Sequence, residues 1–122
     1  MSLRLTLLAA IVLVTFDVHA ARRALLIGIN DYTASHLGRP IAPPAPDRDW
    51  PNLGGAVNDA RLMREMLILL YGFAPGDIVT LTDQAATRAA ILEAVERHLA
   101  AAASNGDILV FYYAGHGSQV RN

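Results

Sequence analysis

A chain of 122 residues, 53% hydrophobic and 17% charged with a formal net charge of -1, holds at most one globular domain. Near-neutrality gives no long-range attraction to phosphate backbones or anionic lipid, so nucleic acid is not an expected partner. Cysteine is absent, which excludes a disulfide framework, a thiolate metal site and a cysteine nucleophile within these residues. All ten basic residues are arginine and alanine is abundant, a pattern that codon bias accounts for.

Met1 to Arg4 carries one positive charge, Leu5 to Phe16 is apolar apart from threonine, and Val18 and Ala20 occupy two small-residue positions. That order is the order of a secretory signal with its cut after Ala20. The apolar run falls short of the roughly 20 residues that span a bilayer. The expectation is a signal peptide over 1–20 and a mature chain over 21–122, exported to the periplasm or the medium, without a stable membrane span after cleavage. A buried helix or an uncleaved anchor is the alternative.

The mature chain opens on Arg22 and Arg23, followed by Ala24-Leu25-Leu26-Ile27-Gly28-Ile29-Asn30. Such a nearly continuous apolar run suits a strand buried on both faces of a parallel sheet. Asp31 to Asn52 contains five prolines and several aspartates, and reads as a loop beside a strand end, where loops carry function. From Ala56 to Tyr71, Val57, Leu62, Met66, Leu69 and Leu70 recur at helical spacing opposite Arg61, Arg64 and Glu65, which predicts an amphipathic helix burying that stripe. Asn58 or Asp59 lies in its first turn, where a carboxylate favours the free N–H groups, and Gly72 ends it. Asp77 to Thr82 is a second strand. Thr87 caps a second helix running to about Ala103, with Ile91, Leu92, Val95 and Leu99 inward. After the turn Asn105-Gly106-Asp107, Ile108 to Tyr113 is the third and most apolar strand. Strand, helix, strand, helix, strand argues for an α/β unit with a parallel sheet and right-handed crossovers.

Ligands of open parallel sheets bind beyond the carboxyl ends of the strands. Three polar groups fall there: Asn30-Asp31, Asp83 and His116. Gly115-His116-Gly117 places a histidine between two glycines directly after a buried strand, which allows a sharp turn and close approach of a substrate. Histidine is the side chain best suited to shuttle protons near neutral pH, and the Gly117 amide could donate to an oxyanion. Taken alone, Gly-His-Gly is more often an ordinary turn.

The context is more specific. Tyr112 to Gln119 (YYAGHGSQ) resembles the histidine motif of the caspase/metacaspase family of cysteine peptidases, peptidase C14, where a strand ends in a Y-x-G-H-G-type sequence. Ala24 to Tyr32 (ALLIGINDY) resembles the family's first strand and following loop, and Leu53 to Ala60 (LGGAVNDA) the segment entering its first helix. The resemblance covers about residues 22 to 121. It implies a caspase-like three-layer sandwich with a parallel sheet, acting on peptide or protein substrates. It further implies that His116 is the general base and acid, that the Gly117 amide belongs to the oxyanion hole, and that Asp59 lines a specificity pocket for arginine or lysine. Plain stabilisation of a helix N-terminus is the other reading of Asp59. The chain departs from the pattern at Ala114, where several metacaspases carry a substrate-contacting serine. Some relatives need calcium through acidic residues outside this chain, so neither a metal nor any other cofactor is assigned.

In the family the nucleophilic cysteine follows a fourth strand, and only eight residues follow Ala114 here. The third strand is also too apolar for a comfortable sheet edge, and expects a partner to cover it. Three readings stand: a fragment of a longer coding sequence lacking the cysteine-bearing strand and later elements, one chain of a split enzyme, or a secreted, non-catalytic binding domain. The complete enzyme would work by acyl transfer, and this chain alone is expected to be inert. The Gly-His-Gly corner and Asp59 favour the enzyme, since packing needs neither. A nucleotide-binding or response-regulator domain is disfavoured, because no phosphate-cradling glycine loop follows the first strand.

Overall fold

The computed structural model describes residues 20–32, 50–101 and 103–117. Residues 1–19 of the expected signal peptide, residues 33–49 of the expected loop, and Ser118-Gln119 of the histidine motif lie outside the described residues. The centre of the fold is β1 (Arg22–Gly28), where Ala24, Leu25, Leu26 and Ile27 have no solvent exposure. Successive side chains of a strand point to opposite faces, so an unbroken apolar run requires cover on both sides. Ala24 and Leu26 pack with Ala60 and Leu67 of α1 (Ala56–Tyr71), together with Phe73 and Ile78. On the other face, Leu25 and Ile27 pack with Leu99, Ile91 and Val95. Those three residues come from α2 (Arg88–Ala94) and the π-helical turn Val95–Ala100 that continues it. The result is the expected helix–sheet–helix sandwich.

β2 (Ile78–Thr82) and β3 (Ile108–Ala114) flank β1 in parallel, in the order β2-β1-β3. Gly28 stands in register with Thr82 on one side and Ala114 on the other, so the three carboxyl ends are level. That register brings residues 29–32, Asp83 and 115–117 to one rim. At Gly28 α1 also comes close to the sheet. A Cβ built there would stand 2.6 Å from the Ala56 carbonyl oxygen and 2.9 Å from the Val57 Cα.

This close approach corrects the sequence expectation for α1. Leu62, Leu69 and Leu70, expected inward, are 54%, 78% and 74% exposed, whereas Ala56, Ala60 and Leu67 are buried and Met63 packs against them. Small side chains at 56 and 60 admit the helix against Gly28, and the turn they sit on fixes which stripe faces the sheet. Leu92, also expected inward, is exposed, because the inward stripe runs through Ile91, Ala94, Val95 and Leu99. The second helix stops at Ala100 rather than Ala103.

The helix ends follow the expected chemistry, with Asp59 in the first turn of α1. Gly72 adopts the left-handed conformation at φ 68°, and Thr87 Oγ1 accepts the Ala90 N–H at 3.1 Å. Neither Asn58 nor Asp59 caps α1 with its side chain. Asn30, from the end of β1, does so instead, its Oδ1 accepting the Val57 N–H at 3.3 Å.

β3 is bounded on one side only among the described strands. Its Val110 and Tyr112 pack towards α1, while Leu109, Phe111 and Tyr113 are 42%, 53% and 42% exposed on the face that α2 does not reach. Among the described residues no helix is long and apolar enough to cross a membrane.

Candidate active site

The rim beyond the strands is built outward from Asp83. It follows β2 directly, at a positive φ of 43°, and its Oδ1 accepts the backbone N–H groups of Asn30 and Asp31 at 2.7 and 3.0 Å. A single carboxylate thus fixes the direction in which the chain leaves β1. Asn30 extends the linkage, because its carbonyl accepts the Leu53 N–H at 2.7 Å while its side chain caps α1. Tyr32 is held in turn by Asn52, whose Oδ1 accepts the Tyr32 N–H at 2.8 Å.

His116 sits against this support. Its backbone N–H donates to the Tyr32 hydroxyl at 2.6 Å, and its carbonyl accepts from the Tyr113 hydroxyl at 2.9 Å. Tyr113 gives its one proton to that carbonyl, so in the 3.4 Å contact between the two hydroxyls Tyr32 is the donor. A closed circuit therefore runs from the His116 N–H through both tyrosines to the His116 carbonyl. Burial, and then the hydroxyl of Tyr32, push the Tyr113 phenol up to about 12, so it stays protonated as a donor. Glycine at 115 leaves room for this circuit, because a Cβ there would displace the hydroxyls of both tyrosines.

The imidazole itself is oriented by three groups. Its Nε2 lies 2.7 Å from the Pro51 carbonyl oxygen, which only accepts, so Nε2 carries a proton and donates. In the neutral ring this leaves the lone pair on Nδ1. Tyr32 meets the ring edge-on with centroids 4.6 Å apart, and Trp50 lies 5.0 Å away on the loop that supplies Pro51. Such contacts restrict the ring without adding a charge.

Beside this rim lies a shallow cleft of about 480 Å³, lined among others by Gly54, Gly55, Asp59, Tyr112, Ala114 and Gly115. Asp59 is exposed in the first turn of α1, and its side chain does not cap the helix. The predicted residues thus fall into one neighbourhood. Asp59 lines the cleft itself, whereas His116 and Gly117 follow Gly115 at its margin and are not among the lining residues. Nothing among the described residues lies within 4 Å of a Cβ placed on Gly117, so packing does not demand glycine there. Among the described residues no group of three or more His, Asp or Glu side chains could hold a metal ion.

Tyr32, Trp50, Pro51 and Tyr113 were not singled out by the sequence reading. Tyr32 and Tyr113 stood inside the quoted motifs, and an aromatic side chain repeated next to a Gly-His-Gly corner is the signal that could have found them.

Residues 21–122 match the caspase domain, peptidase C14. The chain belongs to that family. Metacaspase-8 of Arabidopsis thaliana is 38% identical over 105 residues, covering 82% of this chain and 23% of that protein. Metacaspase-1 of Schizosaccharomyces pombe is 35% identical over 107 residues, covering 83% of this chain and 21% of that protein. Metacaspase-1 of Cryptococcus neoformans is 38% identical over 104 residues, covering 80% and 19%. The chain therefore spans about a fifth to a quarter of the length of these relatives. It is a cysteine-peptidase-like domain of the caspase/metacaspase family.

Proposed function

We propose that this caspase-domain chain is the histidine-bearing part of an exported cysteine endopeptidase that cleaves after arginine or lysine. The observation that carries the reading is the orientation of His116, with Nε2 donating to the Pro51 carbonyl at the carboxyl end of β3. An imidazole held in that tautomer presents Nδ1 as a base. A thiol supplied from outside these 122 residues would pass its proton to Nδ1, and the resulting thiolate would attack the scissile carbonyl. The Pro51 carbonyl then faces an imidazolium Nε2–H, a stronger acceptor contact than the neutral ring makes. Nδ1 returns its proton to the leaving amine, and water resolves the acyl-enzyme. The Gly117 amide is the assigned oxyanion donor. Asp59, in the cleft beside Gly115, suits a guanidinium or ammonium group of the substrate, because a carboxylate there pairs with a cation through charge-assisted hydrogen bonds. The exposed face and free edge of β3 are the place where the thiol-bearing part would dock.

A second reading has one observation in its favour: the chain contains no cysteine. On that reading it is a secreted binding domain and hydrolyses nothing. Sequencing the coding DNA past the codon for Asn122 separates the two. A frame continuing into another apolar strand with an Asp-x-Cys-type corner supports the peptidase. In the complete protein, His116→Ala should then lower cleavage of arginine and lysine peptides by at least about 100-fold, the lower bound for losing a positioned acid–base group. A stop codon, together with no thiol-bearing partner recovered with the exported chain, leaves the binding domain.

A further inference from the structure

The amino end of the sheet holds a second polar cluster, on the opposite side of the molecule from the imidazole. Asp107, the residue before β3, accepts the Ala21 N–H on Oδ1 at 2.8 Å. Its Oδ2 accepts the Ser104 N–H at 2.9 Å and Arg23 Nη1 at 3.1 Å. The Ile108 N–H donates back to the Ala21 carbonyl at 2.8 Å, so both backbone groups of Ala21 are engaged before β1 begins. Ala21 is also the residue that follows the small-residue positions Val18 and Ala20.

We propose that Asp107 is the receiving site for the α-ammonium created when a signal peptidase hydrolyses the Ala20–Ala21 bond, a latch that ties the new N-terminus to the start of β3. The inference rests on the export reading and is independent of the peptidase chemistry. Water adds across the peptide bond. Ala20 leaves with the leader as a carboxylate, and the Ala21 nitrogen takes up protons to become an ammonium, whose ordinary pKa is about 8. That nitrogen already stands at hydrogen-bond distance from the Asp107 carboxylate, so a bond from a neutral amide to a charged acceptor becomes an ion pair between two charged groups without rearrangement.

The surrounding charges fix the sign. Asp107 contacts the nitrogen directly, whereas the Arg23 guanidinium reaches the same carboxylate from its other oxygen and opposes the ammonium from further away. Arg22 extends towards the turn at Gly72, its Nη1 3.6 Å from a Cβ placed there. The nearer anion prevails, which raises the ammonium pKa in the folded chain. The latch is then fully present below about pH 8 and is lost as the pH rises through the raised value.

The absence of lysine makes the test clean, since the processed chain has a single primary amine, its α-amine. The full chain is expressed with its leader in a bacterium that has a signal peptidase, and the mass of the exported product gives its N-terminus. The pH dependence of acetylation by an N-hydroxysuccinimide ester then gives the amine pKa. The expected result is Ala21 at the N-terminus, with a pKa at least about one unit above 8, falling back to about 8 in concentrated urea and in Asp107→Asn. Asp107→Asn could unfold the chain by disturbing Ser104 and Arg23, so acetylated product supplies a second reading. Its melting temperature should no longer decline between about pH 8 and pH 10 as that of the free amine does. An Ala21 amine that titrates at the ordinary value in the folded chain overturns the latch and leaves export standing. A product that keeps its leader, or starts at another residue, overturns both the cut and the latch.

Discussion

The two ends of the parallel sheet are held by different means. At the amino end a carboxylate is the hub, with Asp107 drawing together the Arg23 guanidinium and the N–H groups of Ala21 and Ser104. At the carboxyl end the Asp83 carboxylate organises the backbone, and the histidine is placed by hydroxyls, an amide side chain and a carbonyl. The difference follows from what each end holds. The His116 imidazole is met by neutral groups, and the Tyr113 phenol beside it, pushed up to about 12, stays protonated. The amino end holds no such group and can use full charges for stability.

The change with the largest expected effect removes the support on which the carboxyl end depends. Gly28→Val would drive a side chain into the Ala56 carbonyl and the Val57 Cα, neither of which can rotate away. The helix must then leave the strand, and with it go the Asn30 cap and the Leu53 contact. The expected loss is about 3 kcal/mol, the upper part of the usual range for overpacking. A urea midpoint close to that of the parent chain would mean that α1 does not need its close approach to β1.

Next come the two carboxylates, compared directly. Asp83→Ala leaves the N–H groups of Asn30 and Asp31 without their acceptor, and should cost about 2 kcal/mol. The consequence is local as well, since Tyr32 follows those residues and carries the contact to His116. Asp107→Asn should show its effect in the acid range. The N–H groups of Ser104 and Ala21, outweighing its partial desolvation, and then Arg23 hold the Asp107 carboxyl below its ordinary 3.8. Its contribution is therefore complete above about pH 4 and disappears as the pH falls through the lowered value. Acid titrations of the parent chain and Asp107→Asn should converge below that point. Curves that stay parallel to the lowest pH would show that the charge on Asp107 adds nothing.

These contrasts also explain what could be read from the sequence. The alternation of β1 between two layers, the element order and the Gly72 and Thr87 caps were legible because each depends on local spacing. The buried face of α1 was not. Leucine is more apolar than alanine, so the stripe through Leu62, Leu69 and Leu70 looks like the core, yet the contact with Gly28 selects the small residues Ala56 and Ala60. His116, Gly117 and Asp59 were singled out by their motifs, and the fold brings them to one neighbourhood. Their supports were not singled out, since Tyr32 and His116 are 84 residues apart and meet only because the register levels the strand ends. Asn30 and Asp83 were marked as polar groups at strand ends, while the bond from α1 to Asn30 and those from the Asn30 and Asp31 N–H groups to Asp83 arise only in the folded chain.

The finest test of the comparison is Tyr32→Phe, which deletes one oxygen and keeps the ring beside the imidazole. The His116 N–H then loses its acceptor and Tyr113 loses a donor, while the bonds from Asn52 and Asp83 remain. Global stability should fall by about 1 kcal/mol or less, as for a typical single hydrogen bond. The local effect should be sharper. Amide exchange at His116 should accelerate on the order of fivefold, the factor that such a loss implies for local opening. Nitrogen shifts of the imidazole should also move from the Nε2–H tautomer towards a mixture, because the ring is no longer aimed at the Pro51 carbonyl. Tyr113→Phe removes the partner bond to the His116 carbonyl and should give a similar pattern, with the two effects less than additive if the hydroxyls act as one circuit. Unchanged exchange and an unchanged tautomer in Tyr32→Phe would mean that Pro51 alone sets the ring, and that the tyrosine hydroxyls only fill the space beside Gly115.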